Sequence, residues 1–220
     1  MIESVAQVHT PADTKIAGRK TCAHWTDFKA ALVPGCDSAL WQRAASDYFH
    51  VRLSTRYLEP IRAIQAKSSL RGEGFSVVAI QCSLIEFLES TIQGLTYAYR
   101  RCPSKEPRGK YEYSDSQCLF VDFLRKRHPF HQHFTTKKLA NDFYVGVRCG
   151  LLHEARTKNG WVIHSKGLGI IDVNDAHRKI VYHVNFQEAL LEFAQWYETQ
   201  LLSNNSWKEA FVRKFDSLCT

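Results

Sequence analysis

Arg148 and His153 stand with four residues between them in the stretch 143–161, "FYVGVRCGLLHEARTKNGW". An imidazole with an ordinary pKa near ~6.5 takes a proton in its neutral form and gives one in its charged form. A guanidinium is a permanently charged fork for phosphate oxygens. Cleavage of an RNA phosphodiester by its own 2′-hydroxyl needs both: proton transfer at the attacking and leaving oxygens, and stabilisation of charge on the phosphorus oxygens. One chain offers one His at this place, and a two-fold pairing of chains would offer the second.

Spacing alone selects nothing, because an Arg followed by a His after four to six residues occurs six times in the chain. Arg19 and His24 lie in an irregular stretch, the Arg125/His131 and Arg127/His133 pairs cross Pro129, and Arg178/His183 runs from a turn into a strand pattern. Arg43 and His50 remain as a helical rival. On an ideal helix five residues advance ~7.5 Å and rotate ~140°, so Arg148 and His153 do not share a face and would meet only in a groove where two helix ends cross. Gly150 between them would admit a partner helix closely, at ~1 kcal/mol relative to Ala. The structural alternative is a buried ion pair of Arg148 with Glu86 or Glu89, with His153 satisfying carbonyls at a helix C-terminus.

The elements that must hold these groups are mostly helical by pattern. Residues 1–36 mix Thr, Ala, Gly, Pro and Lys without a sustained period and read as an irregular arm, with a short helix available in "TDFKAAL". Asp37 or Ser38 can cap a long helix with apolar residues at helical spacing from Leu40 to Ile64, which Pro60 should kink or divide. Residues 72–99, "GEGFSVVAIQCSLIEFLESTIQGLTYAY", are apolar on most faces, as in a helix at the centre of a bundle. There Cys82, Glu86 and Glu89 fall on one stripe at i, i+4 and i+7, which reads equally as a carboxylate aimed at a packed neighbour or as a solvent-facing one. A long basic loop over 100–116 and a short helix in "SQCLFVDFLRKR" precede the helix 135–155 that carries Arg148 and His153. Short β-branched runs between Trp161 and Val184 follow, the pattern of an antiparallel meander, and "NFQEALLEFAQWYETQLL" closes the chain back onto the bundle.

Composition narrows the class. Of 220 residues 45% are hydrophobic, enough for a core without disulfide or metal. The seven cysteines are odd in number and form no C-x-x-C pair, which argues against a zinc site or a secreted disulfide framework and for a reducing, cytoplasmic setting. The N-terminal residues lack a leader pattern, and no run reaches the ~18 uninterrupted apolar residues of a membrane span. A formal charge of +7 favours polyanions. Arg100, Arg101, Lys105, Arg108 and Lys110 in "RRCPSKEPRGK", and the run Arg125, Lys126, Arg127, could track a phosphate backbone or simply solvate the surface. His128, His131 and His133 lack an acidic or cysteine ligand nearby, so no metal is expected there.

The stretch holding R-C-G-L-L-H, after an apolar helix containing "CSLIEFLES" and before a small β element, resembles the HEPN superfamily, the higher eukaryote and prokaryote nucleotide-binding domains. The likeness runs over roughly residues 37–203, and its specific part is the one helix. It implies a mainly α fold: a HEPN-like helical domain over 37–220, with the β meander at about 161–184 inserted before the last core helix. It also implies a homodimer and a metal-independent endoribonuclease without cofactor, leaving a 2′,3′-cyclic phosphate. Arg148 and His153 take the motif positions, with Cys149 and Glu154 as their neighbours and Glu86 or Glu89 in place of the acidic helper on another core helix. RNA or a nucleotide would be the ligand, with no membrane involved. A role in prokaryotic defence or as a toxin, restrained by a protein regulator or antitoxin, is what the family implies of the setting. Where members often carry Asn, Asp or His directly after the Arg, this chain has Cys149, a weak hydrogen-bonding group. That departure favours the alternative of a catalytically inactive HEPN-like module binding nucleotide, RNA or a protein.

Overall fold

The computed structural model describes residues 11–32, 37–67, 72–99, 108–175 and 177–220. Seven helices account for most of it. They are α1 (Cys22–Lys29), α2 (38–65), α3 (Glu73–Gln93), α4 (Ser116–Lys126), α5 (137–154), α6 (His183–Ser203) and α7 (Asn205–Ser217).

Helix α3 is the axis, packed against α4, α6 and α7, with the C-terminal part of α2 and the end of α5 beside it. It starts after Gly72 and stops at Gly94, both in the left-handed region (φ 84° and 63°) that side chains disfavour. At Gly94 a Cβ would also meet the Ala210 backbone at 2.8 Å, so this glycine brings α7 close. By length and composition α3 could cross a membrane, but 67% of that stretch is buried inside the fold, where its apolar faces meet the other helices.

Helix α2 is not uniformly α-helical. Ala45–His50 and Ser54–Leu58 are wider π-helical turns. The second ends one residue ahead of Glu59 and Pro60. Pro60 has no N–H to give and its ring crowds the carbonyl four residues back, at Arg56, so the widened turn lets the helix pass its proline without dividing. At the other end Asp37 accepts from Ala39 N at 3.0 Å, the cap that its side chain predicts.

Two differences from the sequence reading stand out. Within the stretch taken as an irregular arm, β1 (Lys15–Ala17) and β2 (Lys20–Thr21) form an antiparallel hairpin leading into α1. Trp25 of α1 is 1% exposed and donates its indole N–H to Asp216 at 2.8 Å, so this segment closes the core over α7. The β region after α5 is not an antiparallel meander. β5 (Trp161–His164), β6 (Ile171–Asp172) and β7 (Lys179–Tyr182) are ordered β5-β7-β6, with β7 parallel to β5 and antiparallel to β6. The strand leading straight into α6 takes the middle, where both of its backbone edges are hydrogen-bonded and Val181 is fully buried. The two-residue β6 is left at an edge. A further parallel pair, β3 (Thr96–Tyr97) with β4 (Glu112–Tyr113), ties the end of α3 to the start of α4.

Aromatic rings join these layers. Phe143 of α5 stacks on Phe186 of α6 at 5.7 Å and meets the edge of Trp161 at 5.1 Å, while Phe123 of α4 meets Phe193 of α6 at 4.8 Å. Large buried rings of this kind contribute beyond their area through edge and offset contacts, roughly 0.5–1.5 kcal/mol each. They fix α5, and with it Arg148, against α4 and α6.

Candidate functional site

Helix α5 begins at its cap Thr136, whose hydroxyl accepts from Leu139 N at 3.1 Å, and widens into a π-helical turn over Tyr144–Cys149. The widening has a local cause. Lys158, returning after the helix, donates its N–H to the Gly146 carbonyl at 2.7 Å and competes for an acceptor that an α-helix would keep to itself. The same return explains the glycines. A Cβ on Gly146 would lie 2.7 Å from Trp161 Cδ1, and one on Gly150 would lie 2.5 Å from the Arg156 carbonyl oxygen. Gly150 therefore makes room for the chain's own turn, where the sequence reading had placed a partner helix.

Arg148 points at α3. Its Nη2 lies 3.4 Å from Glu86 Oε2, and its guanidinium lies over the Tyr144 ring, 5.4 Å from the centroid. Tyr113 donates to Glu86 Oε1 at 3.1 Å, and the Tyr144 hydroxyl is 3.0 Å from Ser116 Oγ. Burial works against the Arg148 charge, but Tyr144, Glu86 and Cys149 outweigh it and hold the guanidinium above its ordinary pKa. The pair keeps partial contact with solvent, at 19% and 22% side-chain exposure, and its 3.4 Å separation is loose for a charge-assisted bond. Cys82, one turn before Glu86, is buried beside this cluster with its thiol pushed up to about 12 by burial. Cys149 lies beside both Tyr144 and Arg148.

His153 stands apart. It is exposed near the end of α5, and its side chain has no hydrogen-bond or ion-pair partner among the described residues. Its neighbours are Leu152, 50% exposed, and Glu154, which pairs with Arg156 at 3.0 Å and with Lys158. Within one chain Arg148 is thus held at α3 while His153 is free at the surface, as the helical rotation between them predicts.

The remaining candidates divide sharply. Glu89 does not share the environment of Glu86. It is fully buried and gripped by Arg127, while Gln93 donates to the same carboxylate at 2.6 Å. Arg125 donates to the Phe134 carbonyl at 2.7 Å, and Lys126 pairs with Asp122 one turn back at 2.8 Å. The basic run on α4 is therefore largely engaged within the fold. Arg108 and Lys110 are exposed, Lys110 over the Tyr111 ring at 5.0 Å, and Arg100, Arg101 and Lys105 lie outside the described residues. The rival pair is engaged as well: Arg43 sits over Phe28 at 5.5 Å, and His50 Nε2 is 2.9 Å from Glu198 of α6. His128 lies 3.3 Å from Glu192 Oε1, and no three His, Cys, Asp or Glu side chains gather in a metal-binding group among the described residues.

Sequence reasoning missed Asp142. It accepts from Trp161 Nε1 at 2.9 Å and Asn159 Nδ2 at 3.0 Å, and it pairs with Lys179, locking α5 to β5 and β7. An open groove of about 650 Å³ lies there, lined by Lys138, Asn141, Val145, Val173 and Lys179 among others, and neither Arg148 nor His153 reaches it. Sequence reasoning also missed Tyr113, whose hydroxyl bonds Glu86, and Tyr144, whose ring lies under Arg148. Only Tyr144 carried a signal, as the aromatic four residues before Arg148. Comparison with protein-family models, with curated proteins and with solved structures finds no match for this chain.

Proposed function

We propose that the chain is a metal-independent endoribonuclease of HEPN type, acting through Arg148 and His153 at a homodimer interface and leaving a 2′,3′-cyclic phosphate. The observation that carries the reading is the contrast within α5. An Arg is pre-positioned by a loose carboxylate contact, and an unpartnered His is exposed five residues later beside the apolar Leu152. A phosphate offers the guanidinium a stronger partner than a carboxylate at 3.4 Å. An exposed imidazole on a second chain can supply the proton transfer that the first chain's geometry keeps away from its own Arg.

The second reading, a HEPN-like module that binds RNA, nucleotide or protein without cleaving, is favoured by one observation. The residue directly after Arg148 is Cys149, whose thiol is a weak hydrogen-bonding group to position water or phosphate. Incubating the pure protein with a labelled RNA pool in EDTA, beside His153→Ala, separates the two. Cleavage with cyclic-phosphate ends in the native protein alone supports the enzyme. Equal cleavage by both removes the assignment, and binding without cleavage leaves the module.

A further inference from the structure

Two cations converge on Phe87 of α3, and a third stands one turn along from the first. Arg52 of α2 lies over the Phe87 ring, 5.0 Å from its centroid, and Lys214 of α7 lies 5.8 Å from the same centroid. Arg56, one turn after Arg52, is close enough to depress it electrostatically. Tyr57 stacks on Phe87 at 6.1 Å. Each cation reaches one backbone carbonyl: Arg52 to Ile16 at 2.6 Å, Arg56 to Lys15 at 2.7 Å, and Lys214 to Leu95 at 2.9 Å. None of the three is ion-paired with a carboxylate among the described residues. Glu86, the acidic group whose field reaches Lys214, is engaged by Arg148 and Tyr113.

Such a cluster is unfavourable as it stands. Lys214 is only 6% exposed and uses one of its three N–H donors, and Arg52 Nε is buried with no partner. Burial, reinforced by the neighbouring cation, lowers Lys214 to about 8 and Arg52 to about 10. Charges taken from water need a counter-charge and partners for their remaining donors, and here both are missing on the same side.

We propose that Arg52, Arg56 and Lys214 form a binding site for a phosphoryl oxyanion, with Phe87 and Tyr57 as its apolar floor. A tetrahedral anion of two charges matches three cations and accepts several N–H bonds at once. Burial of Lys214 argues for a small ligand, inorganic phosphate or the terminal phosphate of a mononucleotide, because a continuous RNA backbone would have to bring a phosphate to an almost covered ammonium. The site is separate from the proposed cleavage and does not depend on it.

Titrating inorganic phosphate against chloride at constant ionic strength, with no RNA present, tests the proposal by ³¹P line broadening and melting temperature. The native protein should show saturable broadening and a rise of a few degrees. Arg52→Met and Lys214→Met should lose both. Arg56→Gln, at an exposed position whose replacement leaves the core intact, should weaken binding roughly tenfold and keeps the test decisive if the buried variants do not fold. A parallel titration with a nucleoside monophosphate assigns the source: equal or tighter binding marks a nucleotide's phosphate, and binding of the inorganic ion alone marks the free ion. A response to phosphate no greater than to chloride, or one that Arg56→Gln leaves unchanged, overturns the site. Saturation by RNA but by neither small anion overturns the small-ligand assignment.

Discussion

Glu89 and Arg127 meet in a two-pronged pair, Nε to Oε2 at 2.8 Å and Nη2 to Oε1 at 2.7 Å, with the carboxylate wholly removed from solvent. The pair joins the C-terminal turns of α3 to the C-terminus of α4. Such a pair is weak evidence of net stabilisation, because desolvation consumes most of its attraction, but removing one partner leaves an uncompensated buried charge. Arg127→Ala is expected to cost on the order of 3–5 kcal/mol in urea unfolding. The double variant Arg127→Met with Glu89→Leu should recover much of that loss. A single-variant cost below about 1 kcal/mol would mean that water reaches Glu89.

This pair also marks where sequence stops being informative. In the chain Arg127 is one of three consecutive basic residues, indistinguishable from a surface patch, and only the tertiary contact with α3 shows that it is internal. Local patterns were legible: α3 reads as a central helix because its apolar residues cover most faces, and Asp37 and Thr136 cap where their types predict. Helix α7 went unread although Asn204 caps it and Trp207, Ala210, Phe211 and Phe215 follow at helical spacing. Lys214 sits on that same apolar stripe, and a lysine there is the signal that could have exposed the cation cluster. The order β5-β7-β6 could not be read, because pairing between residues 161–164 and 179–182 depends on contacts remote in sequence. The π-helical turn at Tyr144–Cys149 depends in the same way on Lys158 reaching back to Gly146.

The glycines of α5 give a second test. By helix propensity alone Gly150→Ala should stabilise by roughly 1 kcal/mol. The Arg156 carbonyl oxygen would lie 2.5 Å from the new Cβ, and because that oxygen is backbone it cannot rotate away. The variant should therefore lose about 1–3 kcal/mol, as overpacked sites do, and Gly146→Ala should behave alike against Trp161. A higher melting temperature for Gly150→Ala would show that the 155–161 turn shifts freely.

Asp142 gives the chain an acid-sensitive joint. Burial opposes its charge, but the bonds from Lys179, Trp161 and Asn159 outweigh that and hold its carboxyl below the ordinary value of 3.8. A carboxylate with a lower pKa folded than unfolded contributes stability that is fully present well above 3.8 and is lost as pH falls through the folded value. Asp142→Asn should therefore be less stable than the native protein at neutral pH, and the gap should close as pH drops below 3.8. Unfolding midpoints followed from pH 7 to 2 check this. A gap that stays constant would assign the effect to packing and not to charge.

Arg148 and His153 should fail differently because the structure holds them differently. His153 is exposed and has no partner among the described residues, so His153→Ala should leave stability within about 0.5 kcal/mol; under the proposed function it should also remove proton transfer, an effect of about 10²- to 10⁴-fold on RNA cleavage. Under the same proposal Arg148→Ala should lose turnover by a similar factor, since it would remove a charge contact that strengthens as the phosphorane forms. It should also lower the melting temperature, because Glu86 is then left half-buried with only Tyr113 as partner. Glu86→Gln separates these two roles. Freed from its carboxylate, Arg148 should bind phosphate at least as well, so cleavage should survive while stability falls modestly. If the proposed dimer forms through the apolar surface of α5 and not through either polar group, light scattering should find both variants dimeric like the native protein. Normal cleavage by His153→Ala together with loss in His50→Ala would move the chemistry to α2, where His50 now pairs with Glu198.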